Sequence, residues 1–300
     1  MQWNQKQKTF WLITGFVILW NTGFIGAEFG LPYAGIFTFM FYRYLALTLL
    51  LLLYLYAWNQ LQWIGWGYAR SQMLIGVLAH GVWLSCVFVA LDYGVPAGIV
   101  ALVVALQPLA TGAFSGMVAG EPTPWKRWAG LVVGFTGVAV PVIYEVNFDN
   151  PTEVFAWLIP LGSVIAITVA SLYQRKLSLE REYPEGSVTL SLFYQSLATT
   201  IAVAGPAMLS EGLSVEWNLT FISSLIWLVL GVSLGAYALM WLLIERIDAT
   251  RVASLFYLGP PVTMLMAWLA FGDEVHLVDL TGLGLVALGV FVTYLKVPSS

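Results

Sequence analysis

FTFMFYRYLALTLLLLLYLY, residues 37–56, has the twenty-residue length at which an apolar helix crosses a bilayer, and it carries one charge, Arg43. A helix apolar on every side is either the centre of a large globule or a membrane span. Composition decides between them. Hydrophobic residues make up 60% of the 300, and Asp, Glu, Lys and Arg together 9%, against about 25% charged residues in an average soluble domain. That leaves too little polar surface to coat a water-facing globule, so apolar faces must meet lipid. The expected class is an all-α integral membrane protein.

Runs of similar length, broken at charge clusters and at Pro, Gly and Asn, predict ten spans: 9–28, 33–57, 71–91, 96–118, 126–144, 153–174, 187–209, 221–244, 249–271 and 276–295. The N-terminal run follows Lys6 and Lys8 as a signal peptide would, but it is long and lacks a small-x-small cleavage site, so it reads as the first span. Basic residues fix the orientation. Lys6, Lys8, Arg70, Lys126, Arg127, Arg175, Lys176, Arg181, Arg246, Arg251 and Lys296 all fall on the side of the termini. The opposite connections hold only acids: Glu28, Asp92, Glu145, Asp149, Glu153, Glu211, Glu216, Asp273, Glu274 and Asp279. Since Lys and Arg favour the cytoplasmic side, both termini are expected in the cytoplasm. Arg43 is the Lys or Arg that this segregation leaves unassigned.

The sequence also matches itself at an offset of 152 residues. FYRYLALT (41–48) lies over FYQSLATT (193–200), and Pro108, Thr111, Gly130 and Gly137 lie over Pro260, Thr263, Gly282 and Gly289. Five spans per copy is an odd number, so the copies must cross the membrane in opposite directions. Two five-helix repeats are therefore expected, 1–149 and 150–300, divided at the polar connection EVNFDNPTE (145–153). Inverted repeats recur in secondary transporters, because two half-structures that exchange conformations open one central site to each side in turn.

Other chemistries are not supported. The net charge of −4 comes with no basic block for nucleic acid. Cys86 is the single cysteine, inside an apolar run, and neither a disulfide nor a metal site can be built from it. No nucleotide-binding loop, zinc motif or nucleophile–base constellation is present, so no cofactor, no metal and no catalytic residue are expected.

The stretch ALMWLLIERIDATRVASLFYLGPPVTMLMAWLAFGDEVHLVDLTGLGLVALGVFV (238–292), with LWNTGF, FYRYL and ASLYQRKL upstream, resembles the EamA-type transporters of the drug/metabolite transporter superfamily. The resemblance implies ten helices in two duplicated halves, a bacterial inner membrane, and export of amino acids or other small metabolites or drugs. There is one departure. Members often have Glu immediately before the mid-helix Pro of the ninth span, where this chain has Gly259-Pro260-Pro261. No other Asp or Glu stands near the middle of a span, so proton coupling would fall to His80 or be absent.

An ionisable side chain inside a span marks function by default. Arg43 and His80 lie about ten residues into their spans. Arg43 has two readings: a planar fork for a solute carboxylate, or a structural clamp on helix ends and carbonyls. Its counterpart in the second copy is the neutral Gln195. His80 is a ligand or proton group, or a histidine satisfied within the bundle. Asn21 and Gln107 are amides in mid-span, and Pro108, Pro260 and Pro261 break the fourth and ninth spans, which then wall a cavity. Trp20, Tyr42, Trp83, Tyr173, Tyr237 and Trp241 are the aromatics deep enough to line an amphipathic pocket. The function expected is alternating-access export of a small organic solute, an amino acid or related metabolite, by a monomer or homodimer in the bilayer. Sugar-phosphate or nucleotide-sugar exchange, and a non-transport membrane protein, are the alternatives.

Overall fold

The computed structural model describes residues 5–93, 95, 100, 103–145, 156–180, 188–271 and 276–295. The polar connection 146–153, residues 96–99 and 101–102 of the fourth span, Arg181, Asp273, Glu274 and Lys296 lie outside the described residues. In chain order the helices are α1 (Gln5–Gly30), α2 (Ile36–Ala57), α3 (Trp66–Gly76), α4 (Trp83–Asp92), α5 (Gln107–Ala119), α6 (Trp125–Glu145), α7 (Ile159–Glu180), α8 (Val188–Ser210), α9 (Leu219–Trp227), α10 (Tyr237–Arg246), α11 (Ala249–Ser254), α12 (Gly259–Phe271) and α13 (Leu277–Tyr294). Two π-helical segments, Val77–Val82 and Leu228–Ala236, join α3 to α4 and α9 to α10. Among the described residues five helices are long and apolar enough to cross a membrane: Gln7–Tyr33, Ile36–Ala57, Trp66–Ala90, Val188–Ser210 and Leu219–Arg246. They correspond to the first, second, third, seventh and eighth expected spans, and the third begins at Trp66 rather than at residue 71.

The chain forms two compact units, Met1–Ser85 with Leu177–Glu245 and Cys86–Lys176 with Arg246–Ser300. Each draws on both sides of the 149/150 division, so the packing units interleave the sequence halves.

In the first unit α2 packs along α8, α3 along α8, and α1 along the α9–π–α10 rod. Small residues permit the close approach. Gly15, Gly23 and Gly26 of α1 face Leu239, Val232 and Leu228, and Gly76 meets the backbone of Gln195. At the acidic end the chain is clasped: Glu216 N donates to the Tyr33 carbonyl at 2.9 Å, and Ala34 forms an antiparallel bridge with Val215. The Glu211 carboxylate accepts from Phe37 N (3.0 Å) and Thr38 N (2.6 Å), capping the free N–H groups of α2 with a negative charge where the helix dipole favours one.

In the second unit α6 lies against α13 through glycines. A methyl on Gly130 would lie 2.7 Å from the Gly289 carbonyl oxygen, and one on Gly137 would lie 2.8 Å from that of Gly282. Moving each residue by 152 positions exchanges these two pairs. Leu131, Val138, Tyr257, Val286 and Ala105 fill the core beside them. The helix is interrupted at residues 105–106, and the 3-10 turn Leu255–Leu258 precedes α12. Pro108, Pro260 and Pro261 thus stand in the first turn of a new helix, where a missing N–H leaves no intrahelical bond unmade, rather than in mid-helix. The side chains of Pro260 and Pro261 lie outside the described residues.

Candidate functional site

Arg43 sits two turns into α2 beyond the Glu211 cap, in a helix with no Gly or Pro to interrupt it. It is 5% exposed. Its Nε donates to Ser233 Oγ at 2.7 Å, and its guanidinium carbon lies 5.4 Å from the centre of the Tyr44 ring. Among the described residues no carboxylate lies within 4.0 Å of it, and its two terminal amines have no hydrogen-bond partner. Desolvating a permanent cation costs several kcal/mol when nothing opposes its charge, roughly the scale at which such a residue needs a function.

Beside Arg43 runs a chain of neutral hydrogen bonds. Tyr44 Oη and His80 Nδ1 are 3.2 Å apart, and His80 Nε2 and Gln195 Oε1 are 3.1 Å apart. Trp241 Nε1 donates to the same Gln195 oxygen at 2.9 Å, and Gln195 Nε2 donates to Gln72 Oε1 at 2.8 Å. An indole N–H can only donate, which fixes the Gln195 oxygen as acceptor. His80 therefore carries its proton on Nε2 and accepts from Tyr44 on Nδ1, and both nitrogens are bonded in the neutral form.

The π-segments take part directly. A π-turn displaces backbone groups from the regular α ladder, and such turns gather at functional sites. Tyr237 Oη donates to the Ala79 carbonyl inside Val77–Val82 at 2.9 Å, His80 projects from that segment, and Ser233 projects from Leu228–Ala236. Aromatic rings close the cluster. Trp20 lies 5.3 Å from Trp83 and 5.0 Å from Tyr237 between ring centres, and Tyr237 lies 3.9 Å from His80. The result is a buried cluster that is aromatic and amphipathic, with one cation whose terminal amines have no partner among the described residues.

Of the expected site residues, Arg43, His80, Trp83, Gln195, Tyr237 and Trp241 are joined by these contacts. Asn21 is buried one residue after Trp20, with Nδ2 donating to the Val17 carbonyl at 2.7 Å. Tyr42 packs on Phe41 and Trp217, outside the hydrogen-bonded chain. Gln107, Pro108, Tyr173, Pro260 and Pro261 belong to the second unit. There Gln107 is 2% exposed and its Nε2 has no partner among the described residues. Tyr44, Gln72 and Ser233 are site residues that sequence reading passed over. Ser233 is a small hydroxyl in an apolar run and Gln72 stands where an interface was expected, so neither announced itself; Tyr44 adjoins Arg43 in the FYRYL motif and was the one within reach. Among the described residues no group of three or more His, Cys, Asp or Glu is placed to hold a metal.

Comparison with known proteins gives consistent results. The profile of the family described as "EamA-like transporter family" matches twice, over residues 7–143 and 154–295. An uncharacterized transporter of Bacillus subtilis is 27% identical over 208 residues, covering 67% of this chain and 64% of that protein. A protein of Salmonella typhimurium named "Probable amino-acid metabolite efflux pump" is 23% identical over 211 residues, 68% of this chain and 70% of its own. A solved crystal structure superposes with a TM-score of 0.78 at 18% identity, over 96% of this chain and 97% of the other, and shares the fold.

Proposed function

Because this chain belongs to the EamA-like transporter family, we propose that it is a secondary transporter exporting a small organic solute, an amino acid or related metabolite, by alternating access. The family and its named relatives are transporters rather than enzymes, and the chain is a multi-pass membrane protein. The observation that carries the finer reading is the open end of Arg43. A guanidinium held by Nε and free at both terminal amines is prepared for the two oxygens of a carboxylate, which would supply the charge that the fold does not. The rings of Trp20, Trp83 and Tyr237 supply the apolar side that an organic solute needs.

Alternating access draws support from the duplication. The family profile matches once on each side of the 149/150 division. Contacts recur under the same offset: Gly130–Gly289 with Gly137–Gly282, and Thr48 with Thr200, counterparts whose hydroxyls are 3.4 Å apart. Residues that exchange places under a repeat and meet each other lie where a two-fold relation between the halves would put them. The segregation of basic from acidic connections supports cytoplasmic termini in a bacterial inner membrane. As for coupling, both nitrogens of His80 are bonded in the neutral form, which favours His80 as a strut over a proton carrier. Among the described residues Arg43 alone supplies cationic charge to this cluster, and a phosphorylated solute would call for more than one cation.

The test is flux in proteoliposomes containing the full chain, against a panel of amino acids and other carboxylates, with decarboxylated and phosphorylated analogues. Saturable flux of carboxylates with little of either analogue is expected. No flux across the panel, or equal flux of the decarboxylated compounds, would overturn the proposal.

A further inference from the structure

Away from the solute cluster, the second unit has a cavity of about 340 Å³ lined by Trp125, Lys126, Ala129, Val292 and Leu295. It opens between the first turn of α6 and the last turn of α13. Three of the other cations of this unit are already matched. Arg127 reaches Asp248 at 3.1 Å, Arg251 reaches the same carboxylate at 3.5 Å, and Arg175 grips Glu121 at 2.5 Å. Lys126 is not. It has no carboxylate within 4.0 Å among the described residues, and its Nζ lies 5.9 Å from the Trp125 ring centre. Trp125 is 72% exposed and Leu295 43% exposed; Ala129 is exposed as well, and Val292 is half-buried. The cavity is thus apolar along its length and cationic at one end, at the ends of two expected spans, where an indole sits naturally at headgroup depth.

We infer that this groove binds an anionic phospholipid, with the headgroup phosphate on Lys126, the glycerol region against Trp125, and an acyl chain along Ala129, Val292 and Leu295. Charge complementarity selects the occupant. A zwitterionic headgroup brings its own cation to the phosphate and gains little from Lys126, whereas a phosphatidylglycerol headgroup gains the full attraction of an unmatched ammonium, about 1 kcal/mol or a fivefold preference. The glycine contacts of α6 with α13 give the groove rigid walls, so its shape is preformed.

Native mass spectrometry of the full chain, titrated with phosphatidylglycerol or phosphatidylcholine, tests this. Tighter binding of phosphatidylglycerol is expected, with Lys126→Gln weakening it about fivefold toward the phosphatidylcholine level. Lys8→Gln, which removes an exposed cation of the same charge outside the groove, should change nothing. Ala129→Trp, which fills the cavity from its exposed side, should remove the bound lipid while the protein stays monodisperse. Phosphatidylglycerol binding unchanged in both Lys126→Gln and Ala129→Trp would overturn the inference. So would displacement of the lipid by inorganic phosphate, which would make this a free-anion site.

Discussion

Arg43 and Gln195 occupy corresponding positions 152 residues apart, on two helices packed along each other, yet they have opposite hydrogen-bond states. Each reaches a π-segment: Arg43 meets Ser233 in Leu228–Ala236, and Gln195 meets His80 in Val77–Val82. Gln195 is fully buried and bonded at both ends, its oxygen taken by His80 and Trp241 and its amide donating to Gln72. Among the described residues Arg43 makes one hydrogen bond. A neutral amide carries both donors and acceptor, so neighbouring side chains can satisfy it and packing can seal it. A guanidinium carries only donors and a charge that no neutral neighbour removes. Among the described residues the same backbone position is therefore bonded throughout in one copy and left with open donors in the other.

The contrast can be broken at several points. Arg43→Gln makes the two positions alike, and the loss should be largest there. Two charge-assisted hydrogen bonds at roughly 1.5–3 kcal/mol each place the fall in kcat/KM for a carboxylate solute at about a hundredfold or more. The yield of folded protein should hold, because a buried charge has been removed. Arg43→Lys should recover part of the activity, since it keeps the charge without the fork. Unchanged kcat/KM with a lowered yield would instead make Arg43 the clamp of its second reading.

Gly76→Ala attacks the other side through packing. Its methyl would strike the Gln195 backbone, and overpacking of this kind costs about 1–3 kcal/mol, seen as a lower Tm in detergent. Gln195→Leu removes the acceptor shared by His80 and Trp241 and should cost a similar ~1–3 kcal/mol in stability, while the KM for solute changes little. A large rise in KM without loss of Tm would show that Gln195 also touches solute. The smallest effect is expected from His80→Asn. If His80 is a strut, the pH profile of flux stays as it is and only Tm drops; a flattened profile would turn the strut into a proton path.

Much of the fold was legible because lipid imposes a simple rule. Residues 37–56 could be read as a span from length and apolarity alone, and α2 covers Ile36–Ala57. The start of α3 was harder, since Trp66, Tyr68 and Arg70 look interfacial though the helix already runs through them. Pro108 and Pro260 announced a break but not its form, because whether a proline kinks one helix or opens the next depends on what the preceding residues pack against. In the cluster, rarity made residues visible: Arg43 and His80 stand out in an apolar chain. Ser233 and Gln72 do not, and it takes the π-turn and the α3–α8 contact to bring them into the network.

By itself the sequence determined what its composition and spacing could carry: that the chain lives in lipid, which residues are too costly to bury without purpose, and that FY(R/Q) occurs twice. Those are free-energy statements about transferring single residues or single helices out of water, and they need no knowledge of neighbours. Only the tertiary structure decided that Gln195 is satisfied and Arg43 is not. Hydrogen-bond satisfaction depends on atoms distant in the chain, here Gln72, His80, Trp241 and Ser233, arriving within about 3 Å of one another.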